Sequence, residues 1–310
     1  MALTILEWAK LNNNPLQMGV VETFVSTNPV LEYMPFINVA GSAYAYSQED
    51  TLPGIAWRGI NEAYTESTGV INPAVETMSI LGGDSDYDTA LVKMGVGGND
   101  ARSAHDAMKA KAASLNFLNT FFNGDNVADP RVPAGLKSRL TGSQLIAAGN
   151  TSGGDVLTLA KMDELVDAVE GPPEEKFLFM SRTMRRKVNT LMRAGVQAVE
   201  TVADQFGKLQ DAYGGVVIKH VIDAATGQSG GLFPYTEANP GGGAAASASI
   251  YCVRFSPVDG VVGIQNAPIE VRDLGELQTK PALRTRIEWI AGFAVKHPRC
   301  AARLNGIKNA

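Results

Sequence analysis

The clearest hydrophobic pattern in the chain predicts a long helix over residues 99–123. Apolar side chains recur at spacings of three and four between Ala101 and Phe122, and Gly124 follows the last turn. At 1.5 Å per residue, such a helix would be roughly 36 Å long. A single helix of this length is unusual in a globular domain, and it would dominate the fold.

Shorter patterns fill the second half of the chain. Amphipathic helices are predicted over residues 157–169 and 181–194, with Thr158 and Ser181 as N-caps, and residues 238–249 are expected to form a loop of small residues. Apolar runs and strict alternation predict strands at 177–180, 215–223, 250–255, 269–274 and 283–289. Because helices and strands mix without a regular βαβ rhythm, the pattern favours an α+β fold.

Residues 38–79 have a different pattern. Strand-like pieces at 43–46 and 54–58 flank a segment rich in turn-forming residues, and large aliphatic side chains are few. We interpret the segment as a long two-stranded excursion. An isolated hairpin is only marginally stable in water, so this excursion is expected to need a partner surface.

Charge is distributed unevenly along the 310 residues. The net charge is −5, yet residues 1–90 carry two basic and eleven acidic side chains, whereas the remainder carries a net charge of +4. This asymmetry could lie within one molecule or supply complementary surfaces on neighbouring copies. The acidic balance argues against a dedicated nucleic-acid binder. No apolar run reaches the ~20 residues of a membrane-spanning helix.

Two short motifs invite a catalytic or metal-binding interpretation. Residues 227–231 read G-x-S-x-G, the nucleophile elbow of a serine hydrolase, but the Leu-Phe-Pro-Tyr that follows Ser229 disfavours the helix which that site needs. Asp84, Asp86 and Asp88 resemble the start of a calcium loop, but the sixth and twelfth positions lack the required Gly and Glu. A solvated turn is therefore predicted at the three aspartates, and we expect no cofactor, no metal and no enzymatic activity.

The predicted helix at 181–194 carries a cluster of basic side chains without an acidic one. They form either a docking surface for a carboxylate-rich partner or phosphates, or a solvated helix face. Opposite them, charged side chains of residues 38–79 are candidates for intersubunit contacts. The candidate contact residues are Arg182, Arg185, Arg186 and Arg193 on the helix, and Glu49, Asp50, Arg58, Glu62 and Glu66 on the excursion.

Three stretches, taken in order, carry a family resemblance. NPVLEYMPF at 28–36 precedes the long excursion, FFNGD at 121–125 closes the long helix before PAGL at 133–136, and IAGFAVKHPR at 290–299 ends the last strand. In this order they resemble the major capsid protein of tailed double-stranded-DNA phages, which has the Hong Kong 97-type fold. The resemblance in element order spans nearly the whole chain.

The resemblance implies a division of the chain into named parts, among them an extended loop that lies on the neighbouring subunit. The parts are an N-terminal arm at 1–37, the extended loop at 38–81, a peripheral domain at 82–152 with its spine helix at 99–123, an axial domain at 153–267, and C-terminal peripheral strands at 268–310.

The implied function is that of a structural shell subunit. Copies would form hexamers and pentamers of an icosahedral capsid that encloses double-stranded DNA without sequence-specific contact. The implied partners are a portal protein, possible decoration proteins and a separate scaffolding protein, because the arm helix is expected to begin near Pro15. The expected location is the virion, after assembly in the host cytoplasm and without membrane contact. Two alternatives stay open: an encapsulin-like compartment and, more remotely, a serine hydrolase using Ser229.

Overall fold

A long helix, two β-sheets and a projecting hairpin make up the fold. The computed structural model describes residues 28–90, 101–194, 200–203, 209–221 and 232–309. Most of the predicted N-terminal arm, including the helix expected from Pro15, lies outside these residues. The mixture of helices and strands confirms the α+β prediction.

The helices and strands are numbered here in chain order. The helices are α1 Pro29–Tyr33, α2 Ala101–Asn123, α3 Leu136–Arg139, α4 Leu159–Asp167 and α5 Arg182–Ala194. The strands are β1 Phe36–Asn38, β2 Ala43–Thr51, β3 Val70–Thr77, β4 Ser79–Asp88, β5 Leu145–Ala147, β6 Lys176–Met180, β7 Glu200–Ala203, β8 Leu209–Tyr213, β9 Val216–His220, β10 Ser247–Arg254, β11 Val261–Gln265, β12 Glu270–Glu276, β13 Ala282–Val295 and β14 Ala301–Lys308.

Helix α2 is the predicted spine, and its end at Gly124 is confirmed. The Gly124 amide donates to the Thr120 carbonyl at 2.9 Å, and the Gly124 carbonyl accepts from the Gly135 amide at 2.8 Å. A Cβ at position 124 would lie only 2.3 Å from the Pro133 carbonyl oxygen, so the close return of the chain requires glycine here.

The first sheet has five strands and is organised around β13. The first half of β13 lies between β4 and β12, both antiparallel to it, while its second half pairs with β11. Strand β1 then adds to β11 in parallel. Helix α2 packs on this sheet through a cluster of aromatic rings, in which the Trp289 ring lies 4.9 Å from Phe117 and the Phe293 ring lies 4.9 Å from Phe121.

The second sheet has seven strands in the order β5-β14-β10-β6-β9-β8-β7, and its centre is buried on both faces. Strand β6 shows how: Phe177 and Phe179 join the aromatic cluster beneath α2, whereas Leu178 and Met180 face the core covered by α4 and α5. The strand period of two thus divides one apolar run between two cores. The predicted caps are confirmed, since Thr158 accepts from the Lys161 amide and Ser181 accepts from the Met184 amide.

The expected division of the chain at residues 153, 267 and 268 does not follow the sheets. Strand β11, assigned to the axial segment, pairs with β13 in the five-stranded sheet. Strand β14, assigned to the peripheral segment, pairs with β10 and β5 in the seven-stranded sheet. The resemblance implies boundaries along the chain, whereas sheet membership depends on pairing between distant segments.

Three local predictions are wrong. Residues 54–58 are irregular, because the partner of β2 is Val70–Thr77. The aspartates at 84, 86 and 88 lie in β4 rather than in a turn, since a full strand pairs β4 with β13. The predicted loop at 238–249 ends early, because Ser247, Ala248 and Ser249 are buried at the start of β10.

Candidate intersubunit surfaces

Within the described part of the chain, the hairpin of β2 and β3 is attached to the body through its base. Tyr46 Oη and Gln48 Nε2 donate to the Val295 carbonyl at 3.0 and 2.9 Å. Arg139 holds Glu76 with two hydrogen bonds, of which Nη2 to Oε2 measures 2.7 Å. Burial, followed by the Glu76 charge, raises the pKa of Tyr46 to about 12. The base is therefore a fixed, partly buried joint, whereas every residue from 51 to 70 is exposed.

The outer part of the hairpin, residues 52–69, is called the loop tip here. Its polar side chains are engaged with the tip itself: the Gly59 amide donates to Glu62 Oε2 at 2.7 Å, and Arg58 Nη1 donates to the Glu62 carbonyl at 3.1 Å. The Arg58 guanidinium also lies 5.0 Å from the centre of the Tyr64 ring. Arg58 and Glu62 thus shape the tip, and their contact with a neighbouring copy stays a prediction.

The remaining acidic candidates of the excursion lie in different positions. Glu66 is an exposed residue of the loop tip. Glu49 and Asp50 belong to strand β2, and their side chains lie outside the described part of the structure. Their role as contact residues stays a prediction.

Some of the acidic side chains of residues 1–90 pair with basic side chains of the same subunit. Across β4 and β13, Asp84 accepts from Arg286 at 2.7 and 2.9 Å, and Asp86 accepts from Arg284 at 2.6 and 2.9 Å. Lys280 adds a third cation, 2.5 Å from Asp86. Hydrogen bonds from these cations hold the pKa of both carboxyl groups below the usual range. Part of the charge asymmetry is therefore satisfied within one molecule, which is one of the two possibilities that the charge pattern leaves open.

The predicted basic helix, α5, exposes one face and buries the other. Met184, Val188 and Met192 are buried at four-residue spacing, whereas Arg182, Arg186 and Arg193 are exposed. Arg185 is set apart from these three, since its Nη1 lies 3.3 Å from Asp211 Oδ2. The exposed arginine face is therefore made of Arg182, Arg186 and Arg193.

A pocket of about 430 Å³ adjoins the arginine face. Its lining combines Val156, Leu157 and Leu191 with polar side chains of α5, among them Arg186 and Lys187. Lys187 Nζ donates to the Lys308 carbonyl at 2.9 Å, and burial lowers the pKa of this lysine. An apolar floor with a cationic rim suits an amphipathic or acidic partner segment.

A second concavity lies between α2, β4 and β13, and it is called the spine groove here. It has a volume of about 170 Å³ and an apolar wall formed by Ile80, Leu81, Phe117, Val132, Pro133 and Phe293. Arg131 stands at its edge with an almost fully exposed side chain. The groove can therefore receive an apolar side chain next to a cation.

The catalytic and metal-binding interpretations find no support among the described residues. Ser229 lies outside them, so the hydrolase motif has no described geometry. His297 Nδ1 accepts from the Arg299 amide at 3.1 Å and caps a short turn. Within the described ranges, no group of three His, Cys, Asp or Glu side chains could hold a metal ion. Nor does any described helix have the length and apolar character to cross a membrane.

The fold is similar to solved shell proteins over nearly its whole length. The SrpI encapsulin complex from Synechococcus elongatus PCC 7942 has a TM-score of 0.66 at 17% identity, covering 99% of this chain and 97% of that chain. The capsid of the native GTA particle gives 0.64 at 15% identity, covering 92% and 90%. A chain from Mycobacterium phage Bobi gives 0.62 at 14% identity, covering 91% of each. These likenesses establish the fold.

Sequence comparison adds a family match to part of the chain. Residues 12–158 match the family described as major capsid protein GP7. The chain has the Hong Kong 97-type fold. No curated protein matches its sequence significantly.

Sequence reasoning missed the apolar side chains exposed at the loop tip. The loop tip presents large apolar side chains, with Ile55, Trp57 and Ile60 between 94% and 103% exposed. The sequence pattern predicts a strand at 54–58, in which Ile55 and Trp57 share one face that would be buried. One feature of the sequence could have indicated this exposure. The large apolar residues of the tip lie in a segment without a neighbouring apolar run against which they could pack.

Proposed function

We propose that this protein is the major shell subunit of a tailed-phage head, assembling as hexamers and pentamers around double-stranded DNA. The match to the major capsid protein GP7 family carries the proposal. The projecting loop supports it, because its exposed tip presents large apolar side chains that the described residues leave uncovered. Contacts between unlike surfaces of successive copies close into rings, as a capsomer requires.

The proposal extends to the shell's partners and location. A portal protein, a separate scaffolding protein and possible decoration proteins would join the shell, with assembly in the host cytoplasm and the product in the virion. Contact with DNA would be independent of sequence. The loop would lie on a neighbouring subunit, and the exposed arginine face of α5 would contribute the charged part of the contact between copies.

A structural rather than enzymatic role agrees with the capsid-protein family. The hydrolase alternative makes a direct prediction, namely that Ser229→Ala abolishes an activity. We expect this variant to assemble like the wild type and to lose no measurable function.

The second candidate is an encapsulin-like compartment with a protein cargo. The likeness to the SrpI encapsulin complex over 99% of this chain favours this candidate. The gene of an encapsulin-like subunit would lie beside the gene of a cargo enzyme, whereas the gene of a phage head protein would lie beside terminase and portal genes.

The proposal is tested by electron microscopy of the purified recombinant protein, followed by analysis of the contents of particles from the natural source. We expect closed icosahedral shells and, in the natural particles, nuclease-protected double-stranded DNA. A protein that stays monomeric in the presence of its natural assembly partners would contradict the shell function. Natural shells that hold a protein cargo and no DNA would favour the encapsulin-like alternative.

A further inference from the structure

The loop tip has the composition of a contact surface. Leu52, Ile55, Trp57 and Ile60 are 74%, 96%, 103% and 94% exposed, although they lie within nine residues of one another. The polar side chains between them do not cover them, because Arg58 and Glu62 are engaged with the backbone of the tip turn. Large contiguous apolar surfaces on soluble proteins mark interaction sites.

The tip is also a formed structure rather than a loose end. Ser67 Oγ donates to the Gly54 carbonyl at 2.8 Å and ties the two sides of the tip together. Asn61 adopts a left-handed backbone with φ of 68°, which closes the turn that Glu62 caps. A pre-formed apolar surface loses less conformational entropy when it binds.

The spine groove offers a matching surface. Its wall includes Leu81, Phe117 and Phe293, and Ile80 at its margin is 73% exposed. A volume of about 170 Å³ suits one large side chain rather than a helix or a peptide. The Arg131 guanidinium at the edge can lie over an indole ring, a favoured cation–π arrangement.

The tip does not fill the groove of its own molecule. Ile80 of the groove lies at the base of the hairpin, whereas Trp57 at the tip is 103% exposed. Each copy therefore holds one uncovered apolar tip and one apolar groove. This arrangement suits a contact between unlike surfaces of successive copies.

From this arrangement, and resting on the proposed function, we propose that Trp57 of one copy anchors the extended loop by inserting into the spine groove of a second copy. The contact is apolar at its centre, with Ile55 and Ile60 packing around the indole. The charged candidates Arg58 and Glu62 act by holding the tip in shape. The proposed anchor is therefore an apolar side chain, whereas the charge pattern of the sequence had pointed to charged residues of the loop.

The first test compares Trp57→Ala with Thr65→Ala, a control change at an exposed polar residue of the same tip. We expect the isolated Trp57→Ala chain to keep the thermal unfolding of the wild type, because Trp57 is fully exposed there. Truncating a buried aromatic anchor weakens a contact by roughly 30-fold or more, so the yield of shells should collapse for Trp57→Ala and stay normal for Thr65→Ala. Normal shell yield from Trp57→Ala would overturn the anchor.

The second test locates the receiving surface while leaving Trp57 in place. Cys252 and Cys300 are buried, so paired exposed cysteines can be joined selectively by a short bismaleimide. We expect Ile60→Cys with Asn116→Cys, beside the groove, to give multiples of the 32.9 kDa chain on denaturing gels. The control pair joins Ile60→Cys to Val258→Cys, which is 79% exposed outside the groove, and it should stay monomeric.

The outcomes separate this proposal from the proposed function. Cross-linking of the control pair without that of the groove pair would overturn the groove as the receiving surface. Wild-type shells together with unaffected Trp57→Ala shells would reject the anchor and leave the shell function intact. Failure of the wild type to form any shell, with its natural assembly partners present, would instead count against the shell function itself.

Discussion

Two tryptophans mark the contrast between the body of this protein and its extended loop. Trp289 is 1% exposed, lies against Phe36 and Phe117, and donates its indole N–H to Gln265 at 3.1 Å. Trp57 is fully exposed at the far end of the hairpin. The body therefore completes its interior within one copy, whereas the loop presents an apolar surface that the described residues leave uncovered.

The largest expected difference is in the free energy of unfolding of the isolated chain. Trp289→Ala should cost about 3–5 kcal/mol, because it opens a cavity between α2 and β13 and leaves Gln265 without its donor. Trp57→Ala should stay within about 0.5 kcal/mol of the wild type. Urea unfolding of the unassembled variants measures both values. Similar costs for the two would mean that the loop is already packed in a single copy.

A second prediction concerns the joint between loop and body. Glu76→Gln weakens the paired hydrogen bonds from Arg139, whose side chain is 19% exposed, and should release the base of the hairpin. Loss of a charge-assisted hydrogen bond lowers the free energy of local opening by roughly 1.5 kcal/mol. Amide exchange in β2 and β3 should therefore accelerate by about tenfold, with little change in α2. Glu66→Gln serves as the control. Equal acceleration in α2 and in the hairpin would contradict a local joint.

Charge reversal tests the arginine face next. Arg182→Glu combined with Arg186→Glu leaves the Arg185–Asp211 pair intact and should lower shell yield while the monomer stays folded. Assembly should also weaken as salt rises, because exposed charges are screened beyond about 8–10 Å near physiological ionic strength. Lys111→Glu, an exposed site on α2, is the control. Normal, salt-independent assembly of the double variant would show that α5 carries a solvated face.

The smallest expected effect is a pH dependence at the ladder between β4 and β13. Hydrogen bonds from Arg284 and then Lys280 hold the pKa of Asp86 well below its usual range. A carboxyl group with a depressed folded pKa adds stability above its unfolded pKa of about 3.9, and that stability is lost as pH falls towards the folded pKa. Asp86→Asn should therefore lower the Tm slightly near pH 7 and less near pH 3. A difference that does not change with pH would contradict the linkage.

The parts predictable from sequence are those fixed by neighbours along the chain. The period of α2, its end at Gly124, and the caps Thr158 and Ser181 all depend on residues within a few turns. The placement of β14 beside β10, and of Asp84 opposite Arg286, depends on pairing between segments far apart in sequence. Hydrophobic periodicity contains no information on such partners.

The same distinction applies to the candidate contact surfaces, of which only the locally determined features could be predicted. The exposure of Arg182, Arg186 and Arg193 follows from helical periodicity on α5, whereas the pairing of Arg185 with Asp211 does not. At the loop tip, composition suggested a weakly self-packed segment, yet it could not show that Trp57 faces solvent. That exposure depends on the 54–58 segment having no strand partner.

Amide hydrogen exchange of the same protein, unassembled and assembled, tests the central claim most directly. The account predicts fast exchange at residues 52–69 in the unassembled chain, strong protection there after assembly, and slow exchange along the second half of α2 in both states. Equal protection of the loop tip and α2 in the unassembled chain, or a tip that stays unprotected in assembled shells, would contradict the claim that a neighbouring copy completes the loop.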